Sequence, residues 1–179
     1  MKKAIMICLA VTMATIVQAQ PFQQGTTTAN AGIGLGTALG GLGKARPAIS
    51  VSVDHGFWEV GGPGVISLGG YVGNTGYKYT SLGYTAKWNY IVAGVRGAYH
   101  YNGFTDIPNL DVYGGAMLGY NIVNYSSEGG GEDLSNSYGS GVGLSGFVGG
   151  RWFFGENLGG YAELGYGVSI LAVGLTYKF

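Results

Sequence analysis

The sequence predicts an all-β fold, an eight-stranded antiparallel up-and-down transmembrane barrel. Three observations predict it. Successive segments alternate apolar residues with small or polar ones, the chain holds 37 Gly and 14 Tyr with only 10% charged residues, and its last segment is an apolar strand that stops on Phe179. A tilted strand of ~9–11 residues is long enough to cross a bilayer. Disordered Gly-rich chains differ, because they are poor in aromatic residues and rich in charge.

The final segment, residues 170–179, shows the alternation most plainly. Every second residue from Leu171 to Phe179 is apolar, and the residues between them are small or polar. Because strand side chains point alternately to two faces, one face of this strand is apolar throughout. In a soluble sandwich it would form an apolar terminal edge, which folds usually hide. In a membrane barrel it is the closing strand, and the sequence favours that interpretation.

The N-terminal residues 1–19 predict a cleaved secretory signal peptide. Lys2 and Lys3 precede an apolar run, and small residues surround the expected cleavage site after Ala19. The apolar run is too short for a membrane-spanning helix. The only cysteine, Cys8, lies inside this segment, so we expect a mature chain without a thiol. The predicted barrel domain is residues 20–179.

The other elements follow in order after a short polar lead-in, residues 20–25. The predicted strands cover residues 27–36, 48–55, 64–73, 85–101, 110–123, 141–154, 159–167 and 170–179. Alternation with period two defines each of them. Connections after the first, third and fifth strands are long and polar, and those after the second, fourth and sixth are shorter. This asymmetry is typical of surface loops and periplasmic turns, although the short link after the seventh strand departs from it.

Aromatic residues gather near both ends of the predicted strands. Those on the side of the short turns are Trp58, Tyr101, Trp152 and Phe179, and those on the side of the long loops are Trp88, Tyr90, Tyr120 and Tyr138. Trp and Tyr are enriched at both membrane–water interfaces. We therefore expect two outward-facing aromatic girdles.

Charged residues fall on the polar, inward faces of the predicted strands. The expected interior polar network is Asp54, Arg96, His100, Asp111, Arg151 and Glu163. Neighbouring strands are ~4.8 Å apart, so long side chains reach across. We expect ion pairs in the order Arg96–Asp111–Arg151–Glu163, with the other two residues nearby. An eight-stranded interior is just wide enough to be filled by side chains, which predicts a plug. The alternative is a polar conduit for protons, ions or small solutes.

No pattern of residues predicts catalysis, a metal site or a cofactor. His55 and His100 both fall at turn-side strand ends, away from the position that a barrel acyltransferase or protease would use. The glycine-rich segment before Lys44 lacks the Ser or Thr that a phosphate-binding loop requires. The acidic loop residues Glu128, Glu132 and Asp133 lack the spacing of calcium ligands. Without Lys2 and Lys3 the basic residues are few and scattered along the sequence, which argues against nucleic-acid binding.

Several segments resemble a known family. They are Gly32-Ile-Gly-Leu-Gly36, Gly94-Val-Arg-Gly-Ala-Tyr-His100, Val112-Tyr-Gly-Gly115, Gly149-Gly-Arg-Trp-Phe-Phe154 and Glu163-Leu-Gly-Tyr-Gly167. These segments resemble the small outer-membrane β-barrel proteins of Bacteroidetes-type bacteria, including those labelled as a porin family. In architecture the comparison is with the eight-stranded OmpX and OmpA transmembrane barrels. The terminal Gly174-Leu-Thr-Tyr-Lys-Phe179 is similar to the signal that the outer-membrane assembly machinery recognises, which implies a role in assembly for Gly174, Tyr177 and Phe179.

Three functions remain open at this point. The resemblance implies a non-enzymatic protein of a Gram-negative outer membrane, with lipid and the assembly machinery as partners and a structural or surface role. A small porin-like channel is the second hypothesis. The third is a soluble exported barrel that binds an apolar ligand, which would need apolar side chains inside and polar ones outside. No particular surface partner is predicted.

Overall fold

The computed structural model is a closed barrel of eight antiparallel strands, which confirms the predicted fold class. It describes residues 22–37, 39, 44–81, 84–128 and 139–179. The strands are β1 (Thr27–Leu35), β2 (Lys44–Val60), β3 (Gly64–Ser81), β4 (Tyr84–Tyr101), β5 (Leu110–Glu128), β6 (Gly141–Phe153), β7 (Leu158–Gly165) and β8 (Leu171–Lys178). Within the described ranges, no helix is long and apolar enough to cross a membrane.

The first and last strands pair with each other and close the ring. Their register runs from Thr28 opposite Lys178 to Leu35 opposite Leu171. The Phe179 amide then donates a hydrogen bond of 2.9 Å to the Thr27 carbonyl. The C-terminal strand is therefore a seam with two paired edges, because β7 lies on its other side. Closure of this kind removes the exposed edges that a sheet would otherwise present.

Five of the eight strands have nearly the predicted bounds, and three are longer. The expected polar loop over residues 74–84 is wrong, because β3 continues to Ser81 and pairs with β4 as far as Tyr84. β2 begins before its predicted start, at Lys44, with a register shift between Arg46 and Ile49. β5 continues to Glu128. These three extensions lie on the loop side, where the outward residues become polar, so the apolar alternation that marks a membrane strand is lost. β2 also continues past its predicted end on the turn side, to Val60.

The connections are less asymmetric than the sequence predicts. On the turn side they cover residues 61–63, 102–109 and 154–157. On the loop side, residues 82–83 join the long strands β3 and β4, while 166–170 join β7 and β8. The link after the fourth strand covers residues 102–109, as predicted, whereas the expected long link after the third strand is wrong. The loop side is instead distinguished by the strands β2 to β5, which extend past the other four.

The two faces of the barrel wall differ sharply in polarity. Exposed residues on the outside include Ile33, Ile49, Val51, Val72, Val95, Leu118, Leu144, Val148 and Leu175. Buried polar residues on the inside include Thr28, Asn30, Ser50, Ser52, Asp54, Ser67, Arg96, Asp111, Arg151 and Thr176. A soluble protein rarely exposes a contiguous apolar surface of this extent. The wall thus has the polarity of a barrel that faces lipid.

The outward apolar stretch has the length that a membrane requires. On β4 it runs from Ile91 to Tyr101, which is about 33 Å of strand at ~3.3 Å per residue. Tilted by ~40°, this stretch covers about 25 Å along the barrel axis, the height of the apolar band of transmembrane barrels. On the loop side of Ile91 the outward residues are Asn89 and Lys87, so the band ends there.

One predicted aromatic girdle is present, and the other is largely wrong. Trp58, Tyr101, Trp152 and Phe179 are exposed on the outer wall at the turn side, as predicted. At the loop side Tyr120 faces outward. However, Trp88 and Tyr90 are only 2% and 3% exposed and lie inside the barrel. Their even positions on β4 place them on the inward face with Arg96. Tyr138 lies outside the described residues.

Glycines on the inner wall make room for large side chains. A side chain at Gly32 would meet the Tyr161 hydroxyl oxygen at 2.4 Å. A side chain at Gly174 would meet the Ala31 carbonyl oxygen at 2.1 Å. Gly174 pairs with both Gly32 and Tyr161 in the ladder. The two glycines therefore let Tyr161 lie against the wall at the closing seam.

Candidate functional site

The candidate site is the lumen of the barrel, which contains all six of the predicted network residues. They form one continuous chain of alternating charge from β7 to β4: Glu163, Arg96, Asp54, Arg151, Asp111 and His100. Arg96 and Arg151 are 3% and 0% exposed, and Asp54 and Asp111 are each 1% exposed. Buried charges of this kind persist only when they are paired and hydrogen-bonded. The contacts between their side chains pair each of these charges with an opposite one.

Two arginines each bridge two carboxylates. Arg96 Nη2 lies 2.8 Å from Glu163 Oε2, and its Nε lies 3.0 Å from Asp54 Oδ1, although the latter pair lacks the alignment of a hydrogen bond. Arg151 Nη1 lies 2.8 Å from Asp111 Oδ2 and Nη2 donates to Asp54 Oδ2. Asp54 is thus shared by both guanidinium groups. It is the centre of the chain.

The order of the pairs differs from the predicted one. The expected Arg96–Asp111 and Arg151–Glu163 pairs are replaced by Arg96–Glu163 and by contacts of both arginines with Asp54. The prediction assumed that partners lie on neighbouring strands. Arg96 on β4 instead reaches Glu163 on β7, across the lumen. In a barrel this narrow, opposite walls are within reach of long side chains.

Neutral side chains complete the hydrogen bonding of these charged residues. Asn30 accepts a bond of 3.1 Å from Arg151 Nε and donates one of 2.9 Å to Ser52 Oγ. The Tyr113 hydroxyl donates to Glu163 Oε2 at 3.1 Å. Asn30 and Tyr113 are site residues that the sequence reasoning missed. The feature of the sequence that could have identified them is their position on the inward faces of β1 and β5.

Aromatic rings pack against both guanidinium groups. The Arg96 guanidinium carbon lies 3.9 Å from the centre of the Phe147 ring, and that of Arg151 lies 4.3 Å from the Tyr113 ring. Such cation–π contacts are worth ~2 kcal/mol or more when they are desolvated. The rings also fill the space beside the charges and exclude water from them.

The N-terminal lead-in closes the lumen at the turn side. Phe22 is 0% exposed, and its ring stacks on His100 with 3.8 Å between centres and 13° between planes. Asn102 Nδ2 donates to the Phe22 carbonyl at 2.7 Å, and the Gly25 amide donates to the Gly56 carbonyl at 2.9 Å. The segment that the sequence showed only as a polar lead-in therefore serves as a cap.

Apolar residues close the lumen towards the loop side. Val168, in the connection between β7 and β8, is 0% exposed and packs with Ala48, Val92 and Met117. Above them lies a second apolar cluster with Trp88 and Tyr90 at its centre, against which the partly buried Leu39, Tyr77 and Tyr125 pack. This half of the lumen is apolar, where the sequence predicted only a polar interior. The charged layer is thus covered on both sides.

The remaining space in the lumen is small. A hollow of about 30 Å³ lies beside Arg96 and Glu163, which is room for about one water molecule. Another of about 160 Å³ lies nearer the loop side, next to Met117 and Asn121. Glu163, at 15% exposed, is the least buried member of the chain. In the part of the chain that the structure describes, these side chains occupy the charged layer and leave no wide polar path through it.

Ser67, His100 and Asp111 have the connectivity of a hydrolase triad. Ser67 Oγ lies 2.9 Å from His100 Nε2, and His100 Nδ1 lies 2.8 Å from Asp111 Oδ1. However, Ser67 is 0% exposed, and Phe22 covers the ring of His100. A nucleophile must reach its substrate, and this serine is sealed inside the wall. We assign the three residues to the packing of the lumen.

The other predicted site residues lie elsewhere. Tyr177 and Phe179 are exposed on the outer wall, and Gly174 lies in the seam between β7 and β1. Their assembly role stays a prediction. Among the described residues, no group of three or more His, Cys, Asp or Glu could hold a metal ion. The acidic loop residues Glu132 and Asp133, and the signal segment 1–19, lie outside the described residues.

No protein-family model matches the chain, and no curated protein matches it. Solved structures do resemble it. The attachment invasion locus protein Ail of Yersinia pestis, in complex with the heparin analogue sucrose octasulfate, is 14% identical with a TM-score of 0.46, over 88% of this chain and all of that one. Neisserial surface protein A is 20% identical with a TM-score of 0.44, over 86% of this chain and 94% of that one.

Both neighbours are small eight-stranded outer-membrane barrels. The eight-stranded fold of this chain is established by its own closed ring of paired strands. The likeness concerns the fold, and the activity of this chain has to be argued from its own residues. The origin in Bacteroidetes-type bacteria stays a prediction.

Proposed function

We propose that the chain is a non-enzymatic integral outer-membrane barrel. Its role is structural support of the envelope or interaction at the cell surface. The observation that carries this proposal is the pairing of an apolar outer wall with a filled, charged lumen. The wall supplies the membrane contact, and the lumen supplies rigidity. The longer strands on the loop side then support a polar surface beyond the bilayer.

A channel is the competing function, and the packing of the lumen argues against it. A conducted ion would have to pass Phe22 at the turn side, the alternating charges in the middle and Val168 above them. Each of these side chains is buried and in contact with its neighbours. Eight-stranded barrels have an interior that side chains can fill, whereas aqueous pores have 16 or more strands.

A soluble barrel with an apolar ligand is disfavoured by the same geometry. Such a protein would carry apolar side chains inside and polar ones outside. Here Val142 and Leu144 are 72% and 78% exposed on the outer wall, while Arg151 is fully buried inside. The apolar cluster around Trp88 occupies only the loop-side part of the lumen. We infer that lipid covers the outer wall.

The envelope location implies one processing step and one further partner. Export would remove residues 1–19 and free the lead-in that ends inside the barrel at Phe22. The outer-membrane assembly machinery would then recognise the terminal segment with Tyr177 and Phe179. The first inference rests on the charge and apolar pattern of residues 1–19, and the second rests on the resemblance of the terminal segment.

Recording of ion currents tests the proposal against the channel hypothesis. Purified full-length mature protein is refolded into vesicles, fused with a planar bilayer and held at a fixed voltage. We expect no steady unitary steps above the bare-bilayer current, because the lumen leaves room for about one water beside its charges. A 16-stranded porin in the same bilayer serves as the positive control. Reproducible steps of constant size from this protein would contradict the filled lumen.

A further inference from the structure

The strands that extend past the apolar band carry a cluster of cations on their outer face. Without Lys2 and Lys3 the chain has seven basic residues. Four of them, Lys44, Arg46, Lys78 and Lys87, lie on the outer face of β2, β3 and β4 at the loop side. The residues come from distant parts of the sequence, so no run of basic residues in the sequence indicates the cluster. The basic residues are scattered along the sequence, and the register of β2, β3 and β4 places four of them side by side.

The register places the cations in two adjacent rows. Lys44 on β2 pairs with Lys78 on β3, and Lys78 pairs with Lys87 on β4. The next row towards the membrane contains Arg46, Gly76 and Asn89. Neighbouring strands lie ~4.8 Å apart, so the three lysines leave the sheet within about 10 Å of one another. Like charges directly opposite each other destabilise a sheet, and a bound anion would relieve the Lys44–Lys78 repulsion.

The two rows surround a hollow of about 540 Å³, which we call the basic hollow. The residues that line it are Lys44, Arg46, Gly76, Lys78, Lys87, Asn89, Asn124 and Ser126, with the backbone around Tyr77, Trp88 and Tyr125. Gly76 has no side chain, and the Arg46 guanidinium lies close to its backbone at the floor of the hollow. Basic side chains, amides and a hydroxyl surround a concave floor, which is the donor set that recognises phosphate.

Arg46 is held in place by neutral partners. Its guanidinium donates to the Asn74 side-chain oxygen and, at 2.8 Å, to that of Asn89. Asn74 in turn donates to Asn89 Oδ1 at 3.0 Å and to the Tyr90 carbonyl at 2.9 Å. These amides orient the guanidinium without neutralising its charge. Among the described residues, no Asp or Glu forms an ion pair with Lys44, Arg46 or Lys78.

The position of the basic hollow decides which anion it meets. On each strand it begins where the apolar band ends, just past Ile49 on β2, Ile91 on β4 and Ile122 on β5. Lys87 lies four residues beyond Ile91, about 10 Å along the barrel axis. This is the headgroup layer, since the headgroup regions lie on either side of the ~30 Å hydrocarbon core. The cations face lipid headgroups from the side, whereas an anion from solution would approach over the rim.

The distribution of outward charge supports this assignment. At the turn side, the exposed charged residues include Glu59, Asp106 and Glu156. The basic outer-wall residues are confined to the opposite end. Apart from Glu128 at the loop-side end of β5, the described charges of the outer wall are therefore cationic at the loop side and anionic at the turn side, which favours attraction of anionic headgroups in the loop-side leaflet.

We propose that the basic hollow binds the phosphate groups of a phosphorylated lipid headgroup in the loop-side leaflet. The inference rests on the proposed membrane function and adds a specific lipid class to it. Lys44, Arg46 and Lys78 hold the phosphates, and the Asn side chains and Ser126 complete the site. A phosphorylated glycolipid with two phosphates suits the two rows of cations.

Lipid titration in detergent micelles tests the assignment. The full mature protein is titrated with diphosphorylated lipid A, with its phosphate-free form and with phosphatidylcholine, and retained lipid is counted by native mass spectrometry. We expect preferential retention of the diphosphorylated lipid. In K44Q/K78Q its affinity falls roughly 25-fold, at about fivefold per cation near a charged surface. K44R/K78R keeps the charges, retains the lipid and serves as the matched control.

The outcomes separate the two proposals. A heat-dependent shift in gel mobility reports whether each variant is folded, and insertion into vesicles tests the membrane function by itself. Protein that inserts yet binds all three lipids equally overturns the phosphate site and leaves the membrane function standing. If K44Q/K78Q retains the diphosphorylated lipid as well as the unaltered protein does, the phosphate site is also overturned. A third arm adds a sulfated oligosaccharide in solution, and stronger binding of that probe than of the lipid would reassign the hollow to a soluble polyanion.

Discussion

Replacement of Arg151 by Leu is expected to destabilise the barrel by ~3–5 kcal/mol. Arg151 is fully buried and is a partner of both Asp54 and Asp111. Its loss leaves two buried carboxylates with one cation fewer, and the penalty of an uncompensated charge in a dry interior is large. Urea unfolding in lipid vesicles measures the free energy, and the temperature of the mobility shift on a gel gives an independent value.

Three further variants define the effect. Arg151→Lys keeps the charge but loses the fork that contacts two carboxylates at once, so its cost should be intermediate. Arg96→Leu should cost less than Arg151→Leu, because its partner Glu163 is 15% exposed and keeps some access to water. Arg46→Leu removes an exposed arginine on the outer wall, at a cost of ~1 kcal/mol or less. If Arg151→Leu and Arg46→Leu lose the same free energy of unfolding, the charged residues in the lumen are not shielded from water.

An arginine placed in the middle of the outer apolar band is expected to cost ~2–4 kcal/mol. Leu118 is 53% exposed on β5 and lies midway between Val112 and Ile122, where the outward residues are apolar. In Leu118→Arg the guanidinium would face the hydrocarbon core of the bilayer. The free energy of folding into vesicles, measured by urea titration, should fall by this amount.

The matched control lies four residues, or two periods of the alternation, further along the same strand. Ile122→Arg places the same side chain at the loop-side end of the band, next to Asn124, where arginine costs ~0–1 kcal/mol. The difference between the two variants isolates depth in the membrane from any general effect of arginine. If both variants lose the same stability, the outer wall does not face a hydrocarbon layer of the proposed height.

The alternation of residues made the fold and the faces of the strands predictable. Period two assigns each residue to a face by its position alone, so Asp54, Arg96 and Arg151 could be placed in the lumen without any knowledge of the register. The same rule places Trp88 and Tyr90 inside, since they share the face of Arg96. The girdle prediction ignored this rule in favour of the residue type, and it was wrong for that reason.

The pairing of the charges could not be predicted from strand order. Contact between Arg96 and Glu163 depends on which strands lie across the lumen from one another and on how far the ladders are offset. Neither quantity is encoded locally in the sequence. The role of Phe22 was hidden for a similar reason, because the lead-in has no periodic pattern and is ordered by contacts with residues distant in the sequence, among them Gly56, His100 and Asn102.

The loop-side extensions were missed because their outer face is not apolar. In the segment 74–81 the inward Thr75 and Tyr77 continue the strand pattern, while Asn74 and Lys78 point outward beyond the membrane. A strand that leaves the bilayer loses the apolar half of its alternation and then looks like a loop. The basic hollow lies on these extensions, so the register of three strands was needed to assemble it.

Quenching of single-tryptophan fluorescence tests most directly whether the apolar wall faces lipid around a closed lumen. The chain has three tryptophans, and Trp58 and Trp152 lie on the outer wall while Trp88 lies inside. Each is kept in turn, with Phe at the other two positions, in vesicles of lipid brominated near the headgroup. Strong quenching is expected for Trp58 and Trp152, and Trp88 should be reached neither by the brominated lipid nor by aqueous acrylamide. Quenching of Trp58 and Trp152 by acrylamide alone, or of Trp88 by either agent, would contradict a filled barrel in a membrane.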